Sequence, residues 1–99
     1  MKKITMMMVQ AFNNELAFKV SNTVVRVCND EVAILLYGHK IAFKNDTGFY
    51  IDTCGYPTAT TKERLNGLHG VQVNTKKGAL FLNGSEWDGS LTLIQLWIR

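Results

Sequence analysis

The chain has 99 residues, with 11 Lys and Arg against 8 Asp and Glu, a net charge of +3, 46% hydrophobic residues and 19% charged residues. That length holds one domain over residues 1–99, because division would leave neither part a core. The composition excludes wholesale disorder, and the small positive excess falls short of the dense basic surface of a dedicated nucleic-acid binder.

Residues 3–11 predict a first strand, apolar on both faces. Residues 15–20 and 23–28 predict a hairpin turning at Ser21-Asn22, with Leu16, Phe18 and Val20 alternating against Glu15, Ala17 and Lys19. A second hairpin is expected from 31–37 and 40–44 around Gly38-His39. Its strand 31–37 is apolar on both sides, which suits a covered, central position. Asn45-Asp46-Thr47-Gly48 supplies a turn, and Phe49 to Thr53 returns as a strand.

After Gly55 the rhythm changes. Pro57 cannot donate to a ladder, and residues 60–68 read as one short surface helix, with Thr60 as N-cap and Glu63 closing a capping box. Such a helix persists only when docked on a sheet. Val71 and Val73 resume the β pattern, followed by a turn at Lys76-Lys77-Gly78, a strand from Ala79 to Leu82, and the hairpin pair Asn83-Gly84. Residues 91–98 form the most apolar strand, expected to be covered on both faces. The sum is a mainly β fold, all-β or α+β. Its antiparallel sheet is either curled into a small barrel or left open, with the helix across one face.

The candidate binding residues lie in the second half of the chain. Thr58, Thr60, Thr61, Lys62 and Arg64 combine hydroxyls and cations around a helix start, which suits a phosphate. The plainer reading is a capped helix with Arg64 in a surface ion pair. Lys76 and Lys77 read as a phosphate contact or as a solvated hairpin tip. Tyr56 and Trp87 each lie near a glycine and outside clean alternating runs. They are candidates for stacking a base or anchoring a protein interface, whereas Tyr37 and Tyr50 read as core or rim residues.

Catalytic and cofactor motifs are absent. The two histidines, His39 and His69, sit beside glycines at solvent-facing turns and lack metal-ligand spacing. Cys28 and Cys54 have no CxxC spacing and read as reduced, small, semi-buried residues; a single disulfide is the alternative in an oxidising compartment. No nucleophile elbow or P-loop is present. No metal, no cofactor and no enzyme activity are therefore expected. Neither apolar terminal stretch is long enough to cross a bilayer, and without a cleavage signal a cytoplasmic location is expected.

Three stretches resemble a group of short bacteriophage proteins. They are Leu36-Tyr37-Gly38-His39-Lys40-Ile41-Ala42, the Gly55-Tyr56 to Leu68 segment with its Thr-Lys-Glu-Arg-Leu-Asn core, and the run from Lys76-Lys77-Gly78 through Leu82-Asn83-Gly84 to Trp87-Asp88-Gly89. The resemblance spans roughly residues 35–89 and implies a phage-encoded, non-catalytic accessory protein. Two partners fit these residues. One is a host or phage protein, with a strand-mediated homodimer in the same class. The other is a nucleic acid held by the basic Thr-rich loop and the aromatics.

Overall fold

The chain begins with a helix where the apolar run over residues 3–11 predicted a strand. In the computed structural model, which describes residues 1–97, α1 covers Lys3–Asn14. Its buried residues are Thr5, Met8, Ala11 and Phe12, three or four apart and therefore on one helical face. Methionine is a good helix former, and the Met6-Met7-Met8 run satisfies a helix stripe as well as a two-faced strand. Met8 is fully buried, while Met6 and Met7 face solvent. Glu15, at φ 55°, ends the helix in the left-handed region, and the Leu16 amide closes onto the Ala11 carbonyl at 2.9 Å. Residues 15–17 thus belong to the helix stop and not to the following strand.

A meander follows: β1 (Phe18–Val20), β2 (Thr23–Val27), β3 (Glu31–Leu36), β4 (His39–Asn45) and β5 (Gly48–Ile51). Each pairs antiparallel with the next, and β9 (Thr92–Leu96) adds beside β5, so the sheet order is β1-β2-β3-β4-β5-β9. β1 and β9 are the two edges, and the sheet is open, not closed into a barrel. The second hairpin turns at Tyr37-Gly38, one residue earlier than expected. These two have φ of 51° and 80°, the double left-handed conformation that lets a two-residue turn follow the strand twist. A bulge in the β3–β4 pairing leaves Ile41 without a direct partner, since Ile34 pairs with Ala42 and Leu35 with Lys40.

Between β5 and β9 lie α2 (Ala59–Leu65) and a second antiparallel sheet of β6 (Val73–Lys76), β7 (Ala79–Leu82) and β8 (Ser85–Glu86). The Lys77-Gly78 and Asn83-Gly84 turns fall where the sequence placed them. The fold is therefore mainly antiparallel β with two helices. α1 covers β1 to β3, α2 docks on β4 and β6, and Leu80, Leu82 and Trp87 pack on the same core. That core holds Met8, Phe12, Val25, Ile34, Ile41, Ile51 and Leu65.

The opposite face of the large sheet has no covering layer. Ala33, Phe43, Tyr50 and Leu93 are successive cross-strand partners on that face, with the Phe43 and Tyr50 rings stacked at 4.9 Å. β9 was expected to be central, yet it is an edge, and Leu91, Leu93 and Leu96 are exposed. Ile98, the last residue of the expected strand, lies outside the described residues.

Candidate functional site

The Thr-rich segment divides between structure and surface. Helix α2 starts two residues earlier than expected. Thr58, not Thr60, is its N-cap; the Thr58 hydroxyl accepts from the Thr61 amide at 3.1 Å and lies 3.0 Å from the Thr61 hydroxyl. Pro57 is the pivot of the approach, with the Thr58 amide reaching the Tyr56 carbonyl at 2.8 Å. Thr61 is buried beneath this cap and Thr60 is half-buried.

Glu63 does not close a capping box; its half-buried carboxylate meets the buried Arg64. Arg64 is 4% exposed, which corrects the expected surface ion pair. Its Nε donates to the Thr23 hydroxyl at 3.1 Å, and its Nη1 donates to the Thr5 hydroxyl at 3.2 Å and to the Glu63 carboxylate. Thr5 also donates to Glu63, and the Lys2 amide donates to the second Glu63 oxygen at 3.2 Å. Burial raises the Glu63 pKa, but these hydrogen bonds and the Arg64 charge outweigh it and hold the carboxyl below its ordinary value. The cluster ties α1, α2 and β2 together. An arginine so enclosed supplies cohesion and presents little surface to a phosphate.

The other expected cations stay outside. Lys62 donates to the Thr75 hydroxyl at 2.7 Å, which brings it toward the β6–β7 hairpin that carries exposed Lys76 and Lys77. Trp87 is half-buried, and its indole N–H donates to Thr92 at 2.8 Å. It joins the β8 end to β9 and packs against the core.

A different convergence forms an apolar recess. The β3–β4 turn and the segment leading into α2 flank a cleft of about 310 Å³. Leu36 and Ile41 line its apolar side, Thr53, Thr58 and Thr61 contribute hydroxyl-bearing walls, and Tyr37, His39 and Tyr56 form its rim. Tyr37 is 71% exposed and Tyr56 55% exposed, and the His39 and Tyr56 rings lie 4.9 Å apart. The β3–β4 bulge supplies Ile41 to this cleft. Tyr56 was expected here; Tyr37 and His39 were not. Their signal was the Tyr37-Gly38 pair, which reads as a hairpin turn of the X-Gly kind and so places the tyrosine at a tip. The stretches 36–42 and 55–68 therefore meet across one cleft, while the Lys76–Gly89 stretch contributes to the small sheet.

Cys54 adjoins this region. Burial, and then the Asp52 charge, push its thiol above the ordinary range, and it donates to the Lys40 carbonyl at 3.2 Å. A protonated, hydrogen-bonded thiol is a poor nucleophile. Cys28 is exposed, where a semi-buried residue was expected, and both cysteines are free. Among the described residues no cluster of His, Cys, Asp and Glu is arranged to hold a metal ion, and no helix is long and apolar enough to cross a membrane.

Searches of the curated proteins and of the solved structures gave no match. The family model described as Kyanoviridae Gp96 protein matches residues 1–93, from ahead of α1 into β9, and the chain accordingly belongs to this family of phage proteins.

Proposed function

We propose that this phage protein is a non-catalytic accessory protein that binds a host or phage protein through the Tyr37–His39–Tyr56 cleft. The carrying observation is that two exposed tyrosines from separate elements converge on an apolar recess. Exposed aromatics around a desolvated pocket are the usual energetic centre of a protein interface. The recess is mainly apolar, suited to one aliphatic or aromatic side chain of a partner.

A nucleic-acid reading rests on fewer groups than the sequence offered, since Arg64 is enclosed. Its remaining support is the approach of Lys62 to the hairpin bearing Lys76 and Lys77. Capture of partners from host extract by the tagged chain, with and without nuclease, separates the two readings. A nuclease-resistant, saturable protein partner that is lost with Tyr56→Ala is the expected result. Recovery only in the absence of nuclease, or no saturable partner, would reject the protein-binding reading.

A further inference from the structure

The two edges of the large sheet are built differently. β1 has three residues and places exposed Lys19 at its centre; a short strand with a charge is a common way to block further pairing. β9 has the sequence Thr92-Leu93-Ile94-Gln95-Leu96, with no charge and no proline. Among the described residues, its backbone hydrogen bonds run only to β5 on its inner side. Leu93 and Leu96 pair with Tyr50 and Gly48 and so share the uncovered face, where they are 46% and 55% exposed. Gln95 pairs with Phe49 on the covered face.

We infer that β9 pairs antiparallel with β9 of a second copy of this chain, joining two sheets into one across a twofold axis. The strand is self-complementary in one register. An axis between Ile94 and Gln95 sets Leu93 of one copy opposite Leu96 of the other, with both leucines on the uncovered face. The row Ala33, Phe43, Tyr50 and Leu93 then continues into the partner as one apolar band. A neutral, uncharged edge offers nothing to select a charged partner, whereas a twofold contact of a strand with itself closes without leaving a new edge. This surface shares no residue with the tyrosine cleft, so its failure would leave that reading standing.

The contact is modest in size. A five-residue strand runs about 17 Å and a sheet is about 10 Å thick, so the paired edge is far smaller than the roughly 800 Å² per partner of a standard interface. A concentration-dependent dimer is therefore expected in place of a permanent one.

Sedimentation equilibrium of the full chain over the micromolar to low-millimolar range tests this. The wild type is expected to move from monomer to dimer. Leu93→Lys and Leu96→Lys, both at exposed positions, are expected to weaken dimerisation by roughly tenfold or more, because each would set a charge against a buried leucine. Met6→Lys, on the exposed face of α1, is expected to leave it unchanged. Hydrogen exchange of wild-type β9 amides gives a second readout that needs no variant, with protection rising as concentration rises. A wild type that stays monomeric, a dimer untouched by both leucine variants, or β9 exchange independent of concentration would overturn the inference.

Discussion

The His39 and Tyr56 rings lie 4.9 Å apart, tilted by 36°, and this contact brings the first residue of β4 against the chain entering α2. The approach depends on the Tyr37-Gly38 turn on one side. On the other it depends on the Cys54-Gly55 turn, where the Tyr56 amide bonds the Thr53 carbonyl at 3.0 Å.

The turn itself gives a test in which stability and binding move in opposite directions. Asparagine tolerates the left-handed region better than tyrosine, and Tyr37 is mostly exposed. Tyr37→Asn is expected to raise unfolding stability by about 0.5–1 kcal/mol, within the ~1–2 kcal/mol attached to that conformation, while weakening partner capture. Urea melts and pull-downs of the same preparation check both signs.

Arg64 is expected to be a stability residue. Its replacement by Ala leaves Glu63, whose side chain is about a quarter exposed, together with the Thr5 and Thr23 hydroxyls short of a partner. Breaking a buried ion pair from one side costs about 3–5 kcal/mol, and the partial exposure of Glu63 puts the loss near 3. Arg64→Lys is expected to recover little, because a single ammonium cannot reproduce the forked contacts to Thr23 and Thr5. Chemical denaturation measures both.

The acid limb of stability should report Glu63. Its folded pKa is depressed below the ordinary value of 4.5. Its contribution is therefore whole above that value and is lost as pH falls through the folded pKa, where proton uptake favours the unfolded chain. Unfolding free energies measured between neutral pH and pH 3 should decline for wild type and decline less for Glu63→Gln. Equal slopes would show that Glu63 is not preferentially ionised in the fold.

Gly67, just past the end of α2, lies against α1. A Cβ there would lie 2.6 Å from Thr5 Cγ2 and 3.1 Å from Val9 Cγ2. Both are short branched side chains on α1, so they cannot yield as a long flexible chain would. Gly67→Ala is expected to cost about 1–3 kcal/mol through overpacking, seen as a lower thermal midpoint. An unchanged midpoint would mean that α1 shifts freely over α2.

The hairpins were legible because their turns are written locally. Lys77-Gly78 and Asn83-Gly84 need only their own φ preferences, and the alternation of β3 is preserved in Val32, Ile34 and Leu36 facing the core. The α1 helix was not legible in the same way, because Ile4 to Phe12 is apolar enough to suit either period, and only the docking of Thr5 and Met8 on β2 and α2 decides. β9 misled for a related reason: a strand apolar on both faces is either central or an edge left open, and composition cannot separate the two. Arg64 was hidden by distance, since its partners Thr5 and Thr23 lie 59 and 41 residues away. At the cleft, Tyr56 was visible from its glycine and proline neighbours. Tyr37 was missed through a turn placed one residue late.

A double-mutant cycle on Tyr37 and Tyr56, read as affinity for the captured partner, is the most direct measurement of whether the cleft is the binding surface. Each single change to Ala is expected to weaken binding by about 2 kcal/mol, roughly thirtyfold, as for other interface aromatics. The double change is expected to fall short of the sum, because the two rings border one recess. Affinity unmoved by either change, with the fold intact by circular dichroism, would contradict it.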